Sequence, residues 1–329
     1  MLFRSRDSTF TLTALLNAGF HEEAQAWLRW LLRAVGGTPD KMRVMYRVDG
    51  GRQIEEREID HLPGWNGARP VRVGNAAAGQ RQLDVYGEVL DSVRLCRRAG
   101  PPASSNAGAI SARLVAHVER IWREPDQGLW ESRAKPQHYV YSKVMAWVAV
   151  DRLLSLGGCA QDRRAELEAL RDAIYADVCT HGFDTRRGSF IQAYGSRSLD
   201  ASALLLPLVG FLPANDERIA GTIAAIERGL IEGGLVRRQE APWLGREEGV
   251  FLPCSCWLAN CMAMQNRHVE ARALFERVLA VSNDLGLLSE EYHVPSRRML
   301  GNFPQAITHV AVINTALSLC GPILQRGGG

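Results

Sequence analysis

The strongest constraint on this chain is a hydrophobic period of 3.6 residues that recurs along almost its whole length. Residues 21–35 place Ala24, Trp27, Leu28, Leu31, Leu32 and Val35 on one stripe, the i, i+3, i+4 spacing of an amphipathic helix. Ser8 to Ala18 carries Phe10, Leu12, Leu15 and Leu16 in the same way. Further helical windows lie near 81–98, 108–122, 138–156, 163–179, 198–210, 216–230, 249–264, 267–283 and 304–321, eleven in all. Strand signals are short. Arg43 to Arg47 and Glu56 to Ile59, with Asp49-Gly50-Gly51 between them, predict a β-hairpin inside a long loop. The fold class is therefore all-α.

The helices pair into hairpins, and one pair echoes another. Thr13 to Ala26 resembles Leu258 to Ala273: a helix ends, a turn follows, and the next helix opens with an acid and Ala-x-Ala. Acids at a helix start are favoured by the macrodipole. Repeated αα-hairpins either stack into an open solenoid or close into an α/α toroid. The connections separate the two. Solenoid loops are short and regular, whereas here residues 37–80, 123–137, 181–197, 231–248 and 284–303 form long, uneven connections. Long ordered loops are usually functional. They fall at every second junction, so in a toroid they would all emerge on one face.

Composition removes several function classes. In 329 residues, 46% are hydrophobic and 23% charged, which suits a globular core. No apolar run reaches the ~18 residues of a membrane span; the nearest, Ala203 to Leu212, is broken by Pro207 and Gly210. A net charge of +3 is too balanced for a nucleic-acid or anionic-membrane partner. The seven cysteines (Cys96, Cys159, Cys179, Cys254, Cys256, Cys261 and Cys320) are irregularly spaced in apolar helical settings. They read as reduced thiols of a cytoplasmic protein. The start, Met1-Leu-Phe-Arg-Ser-Arg-Asp, has no apolar leader segment. No P-loop, dinucleotide fingerprint, HExxH, CxxC pair or GxSxG elbow is present, so neither a metal nor a cofactor is expected.

What the loops do contain is carboxylates beside aromatic and basic groups. Trp130-Glu131 sits in a Gly- and Pro-bounded loop. A carboxyl against an apolar indole surface holds its proton more readily and can serve as a general acid, although the same pair also suits a surface glutamate beside a core Trp. Glu290-Glu291 follows a helix and precedes Tyr292. In extended backbone two adjacent carboxylates point apart, so one can face a pocket and the other a structural partner. Two carboxylates on one toroid face form the acid/base pair that glycosidic hydrolysis needs, at about 6.5–9.5 Å if a water lies between base and sugar. Arg6-Asp7 joins a planar guanidinium to a carboxylate, a pair suited to sugar hydroxyls, or else to capping a helix. Trp65, Trp130, Tyr292 and Trp243 are loop aromatics able to stack on a sugar face.

At these residues the sequence resembles glycoside hydrolase family 15, the glucoamylase, glucodextranase and bacterial trehalase-like family. The resemblance runs from Arg6 to about Leu317. It is carried by Arg6-Asp-Ser-Thr-Phe-Thr-Leu, Gly64-Trp-Asn-Gly-Ala-Arg-Pro-Val-Arg-Val-Gly-Asn75 and Gln82-Leu-Asp-Val-Tyr-Gly-Glu-Val89. Gly128-Leu-Trp-Glu131, Tyr141 to Trp147, Leu199-Asp-Ala-Ser202, Pro207 to Pro213, Ser289-Glu-Glu-Tyr292 and Gly301-Asn-Phe-Pro-Gln-Ala306 continue it. The resemblance implies an (α/α)6 barrel with an inverting, exo-acting mechanism that releases glucose from an α-glucan, isomaltooligosaccharide or trehalose. It implies Glu131 as general acid and Glu290 as general base. It also implies Arg6 and Asp7 as the grip on the terminal glucose and Arg238 as a further sugar-binding arginine; Trp65, Trp130 and Tyr292, from their place on the loops, are the candidate stacking contacts.

There are three departures from the family pattern. Bacterial relatives carry a β-sandwich domain before the barrel, with no counterpart read here. Eleven helical windows leave the first barrel helix without a match. Arg4 stands where relatives have a pocket-lining tryptophan, and Ser132-Arg-Ala-Lys-Pro136 replaces Val-Arg-Gly-x-Pro. Residues 1–329 are thus expected to be a single catalytic domain truncated at its N-terminus and missing a helix beside Ser8–Ala18. The Phe10–Leu12–Leu16 stripe should then be unusually exposed, and a missing N-terminal segment or partner chain would be needed to cover it. Residues 37–80 are expected to be ordered loop, with Trp65 or Arg69 approaching the pocket. A truncated, catalytically impaired domain that binds carbohydrate or a partner is the alternative.

Overall fold

Two kinds of helix alternate along the chain in the computed structural model, which describes residues 2–35, 39–100, 106–157, 161–240 and 248–321, with side chains from Asp7 onward except Lys41 and Asn66. The first kind is buried or half-buried around most of its surface. It comprises α1 (Ser5–Asn17), α3 (Asp84–Ala99), α5 (Val140–Ser155), α7 (Leu205–Leu208), α9 (Leu252–Met264) and α11 (Ala306–Cys320). The second kind is one-sided: α2 (His21–Val35), α4 (Ala107–Ile121), α6 (Gln161–His181), α8 (Glu217–Gly229) and α10 (His268–Ala280). In α2, Ala24, Leu28, Leu31, Leu32 and Val35 are buried while Glu22, Glu23 and Arg33 face out. A helix buried on several sides belongs inside, and a one-sided helix belongs outside.

The packing follows that division. α1 packs on α3, α3 on α5, α5 on α7, α7 on α9, α9 on α11, and α11 returns to α1, closing an inner ring of six. α2, α4, α6, α8 and α10 lie around it, each against an inner neighbour or the strand pairs beside it. The eleven helices expected are the eleven found among the described residues, and the all-α toroid of hairpins is the fold.

Buried polar groups tie the ring together. The Thr9 hydroxyl donates to the Glu88 carbonyl at 2.9 Å and Tyr141 Oη donates to Glu88 Oε1 at 2.8 Å, linking α1, α3 and α5. Arg152 on α5 meets Asp91 on α3 at 2.7 Å and donates to the Val209 carbonyl beyond α7 at 2.6 Å. A buried charge is tolerable only when paired in this manner.

Three expectations are corrected. The Phe10–Leu12–Leu16 stripe is buried, at 8%, 0% and 4% exposure. α1 is an inner helix, and α2, α3 and α11 cover it. The half-open apolar surface lies on α11, where Ile313 is 44% exposed and Val310, Val312 and Leu317 are half-buried. The hairpin of residues 43–47 with 56–59 is not formed. Met45–Arg47 pairs antiparallel with Leu2–Arg4, and Arg57–Glu58 pairs with Arg72–Val73. The window at 198–210 is not one helix but a 3-10 turn, Ala201–Leu204, running into the single turn of α7. Pro207, which has no N–H to donate, and the left-handed Gly210 (φ 76°) limit its length.

Candidate active site

Four of the five long loops, residues 37–80, 123–137, 231–248 and 284–303, line a cavity of about 440 Å³; the 181–197 loop does not reach it. Glu131 reaches it from the 123–137 loop and Glu290 from the 284–303 loop. Asp7 lines it from the first turn of α1, and Arg238 from the segment after Val236.

Local chemistry explains how Glu131 is presented. Gly128 turns the chain in the left-handed region (φ 69°), packed so closely that a Cβ there would sit 2.6 Å from the Tyr139 ring. Glu131 itself has φ 57°, a conformation uncommon for a residue with a side chain and frequent at functional sites. Its N–H bonds to the Gly128 carbonyl at 3.2 Å, while Gln80 Nε2 donates to the Glu131 and Ser132 carbonyls at 3.2 and 3.0 Å. Asp126 and Gln137 bridge the base of the loop. Burial pushes the Asp126 carboxyl up to about 7, with Asp84 adding to the rise and the Leu83 N–H and Lys143 opposing it.

Trp130 is held from beneath. Both oxygens of the buried Asp200 accept from Trp130 Nε1 at 2.9 Å, and Asp200 also accepts from the Ser202 N–H at 2.8 Å and Gln192 Nε2 at 3.1 Å. The Trp130 ring stacks on Trp257, which stacks on Phe10, with centroids 6.1 Å apart in each pair. Phe251 meets Trp130 edge-on at 5.3 Å. An aromatic wall therefore runs along the cavity from α1 to the residue beside Glu131.

Glu290 stands at the edge of a three-stranded sheet formed by Val250–Phe251, Glu291–His293 and Arg298–Leu300. Its Oε2 accepts from Asn302 Nδ2 at 3.1 Å. Gly301 (φ 72°) passes so near that an added Cβ would lie 3.0 Å from the Glu290 side chain. The neighbouring Glu291 turns to Arg238, with Arg238 Nη2 at 3.2 Å from its Oε1. Burial pushes the Glu291 carboxyl up to about 7; Glu248 and Glu290 contribute to the rise, and Arg238 opposes it.

Three residues expected at the cavity are absent from its wall. Trp65 is 86% exposed, at the tip of a hairpin whose turn runs through Gly64 and Gly67. Neither it nor Arg69 is a lining residue; the 37–80 loop lines the cavity through Asn75 and Ala77 instead. Asn75 is fixed by its own side chain, which caps the Ala77 N–H at 2.8 Å. Tyr292 is half-buried against an apolar cluster that includes Leu235, Val250 and Leu288, away from the cavity. Arg6 lies in the first turn of α1, and its side chain, like those of Arg4 and Trp243, is outside the described residues. Sequence reasoning passed over Phe10 and Trp257, which looked like core, and Asn302 and Gln305, which looked like loop. Asp200 carried one signal, the Asp-x-Ser pattern of a turn cap.

With that geometry in place, comparison with known proteins is decisive. Residues 4–317 match the model of the glycosyl hydrolases family 15. The chain belongs to that family. It is 41% identical to a trehalase of Mycobacterium tuberculosis, covering 95% of this chain and 47% of that protein. It is 38% identical to a trehalase of Thermoplasma acidophilum, covering 98% and 56%. The chain thus spans about half the length of these relatives. Among solved structures, a glycosidase variant in complex with glucose shares the fold with a TM-score of 0.76 at 20% identity, covering 97% of this chain and 88% of that one. A bacterial glucoamylase complexed with acarbose gives a TM-score of 0.73 at 13% identity, covering 96% and 48%. Among the described residues no helix is long and apolar enough to cross a membrane.

Proposed function

We propose that residues 1–329 form one catalytic domain, an inverting, exo-acting α-glucoside hydrolase whose substrate is trehalose or a closely related short α-glucoside. The observation that carries this reading is that Glu131 and Glu290, from loops far apart in sequence, line one cavity together with Asp7, Arg238 and an aromatic wall. The trehalases similar to this chain support trehalose over a longer glucan.

In this mechanism Glu131 gives its proton to the glycosidic oxygen as the bond from that oxygen to C1 breaks. Glu290 accepts a proton from a water whose oxygen bonds to C1 on the opposite face. Charge develops on the sugar ring beside the Trp130 face, where the two carboxylates stabilise it. Arg6, Asp7 and Arg238 supply the donors and acceptors that hold the terminal glucose. Hydrolysis of α,α-trehalose then yields one β- and one α-glucose. We also place the chain in the cytoplasm, a reading supported by the buried free thiols of Cys96, Cys254, Cys256 and Cys261.

The test is glucose release from trehalose, with anomers followed by NMR in the first minutes. Glu131→Gln and Glu290→Gln should each lower kcat by about 10²–10⁴-fold, the usual contribution of a general acid or base. A wild-type chain inert to trehalose and other α-glucosides, or variants within tenfold of wild type, would sink the reading.

A further inference from the structure

Arg238 is gripped by two acids, Glu248 at the end of its own connection and Glu291 from the sheet beyond it. Its Nη2 and Nε meet Glu248, the Nε contact at 3.3 Å, and Nη2 also lies 3.2 Å from Glu291 Oε1. The three side chains are only 13%, 18% and 17% exposed, so water screens these pairs little. Of the two acids, Glu291 has an anchor of its own. Glu291 is fixed by the sheet, where its backbone pairs with Phe251 and Leu300, and its Oε2 accepts from the Gly249 N–H at 3.3 Å. The Arg238 backbone is fixed as well, its carbonyl accepting from the Ala201 N–H at 2.8 Å. The guanidinium then lies 5.5 Å from the centroid of Trp130 and 5.2 Å from that of Phe251.

Arginine has a long side chain with substantial rotamer entropy, and an arginine that must meet a sugar at one angle loses affinity if it is free to swing. Two carboxylates on one guanidinium exceed what charge neutrality needs. The second is understandable if orientation, rather than charge balance, is what the arrangement secures.

The geometry points to Glu248 and Glu291 as positioning residues that lock the Arg238 guanidinium against Trp130 and so set the affinity of the cavity for a glucose unit. This rests on the proposed reading of the cavity as a glucoside site. Neither acid lines the cavity; both act through Arg238.

The experiment measures glucose affinity by titration calorimetry alongside KM and kcat for trehalose and the melting temperature. Glu248→Ala and Glu291→Ala should each raise the glucose Kd and the trehalose KM about tenfold, with kcat changed less than threefold; the corresponding Gln variants, which keep an acceptor, should recover part of the loss. Arg238→Ala should give the same loss, and Glu248→Ala added to it should cost nothing further. If an alanine variant does not fold, the Gln variant and the Arg238→Ala background carry the same comparison. Unchanged Kd and KM, a fall in melting temperature alone, additive losses, or no glucose binding by the folded wild type would each overturn the proposal. A wild type that binds glucose, loses affinity in these variants and yet hydrolyses no α-glucoside would uphold the clamp and reject the catalytic reading.

Discussion

Asp200 decides where the cavity wall stands, although it is buried behind the wall. Its two oxygens hold the indole N–H of Trp130, and Trp130 precedes Glu131 in the chain. Asp200→Ala would leave that N–H buried without its acceptor, a penalty of about 1–3 kcal/mol. The expected outcome is a fall in kcat of tenfold or more at a folded, measurable stability, with Asp200→Asn milder because one carbonyl oxygen remains. Equal kcat in wild type and Asp200→Ala would mean that Trp130 is held by its ring contacts with Trp257 and Phe251 alone. Gly301 offers a complementary case on the other side of the site. Gly301→Ala puts a methyl 3.0 Å from the Glu290 side chain in a backbone region that L-residues avoid. It should reduce trehalose hydrolysis at least tenfold while costing about 1–3 kcal/mol of stability, read from urea unfolding.

At the scale of elements, the 123–137 loop is held by its base rather than its tip. Lys143 on α5 donates to the Trp122 and Glu124 carbonyls at 2.5 and 2.6 Å, and Asp126 accepts from the Leu83 N–H at 2.8 Å. The Asp126 carboxyl is raised from its model-compound value of 3.8 to about 7. The folded chain therefore keeps a proton that the unfolded chain has released between those values. Stability from this group is fully present below pH ~4 and is lost as pH rises to about 7, by an amount on the order of a few kcal/mol. Asp126→Asn, which keeps an acceptor for Leu83, should remove that decline. Urea midpoints measured at pH 4.5 and 7.5 should differ more in wild type than in the variant, and equal differences would refute the assignment.

For the whole molecule, ring closure depends on the two ends of the described chain. α11 docks on α1 through Asn314 Nδ2, which donates to the Phe10 carbonyl at 3.0 Å, and on α9 through Asn260 Nδ2 to the Thr315 hydroxyl at 3.0 Å. The Thr308 hydroxyl ties the same helix to the Ser289 carbonyl at 2.9 Å, one residue before Glu290. A chain ending at Gln305 would open the ring and release the anchor of the proposed base together. It should lose cooperative thermal unfolding by circular dichroism and all trehalose hydrolysis. A sharp transition retained in the shortened chain would show that five inner helices suffice.

The period of the hydrophobic pattern was enough to find the helices, because helix burial is written locally, residue by residue. Which helices lie inside was decided by packing: α3 is buried on most sides although it carries Asp84, Glu88, Asp91 and Arg94, whereas α2 hides only one stripe. Glu131 and Glu290 stood out as carboxylates on long loops, but so does any surface glutamate; it was the family resemblance that singled them out, and both do line the cavity. Other features were decided only by contacts between distant segments. Met45–Arg47 looked like half of a local hairpin, yet its backbone groups pair with residues 2–4, which no local pattern announces. Trp65 and Asn75 share one loop, but the direction of its turn sends the tryptophan outward and brings the asparagine into the cavity. Phe10 and Trp257 read as core because they are core on one side; closure of the ring makes their other side a wall. Burial on one face of an element is a property of its own sequence, while which distant group occupies the other face is fixed only when the ring closes.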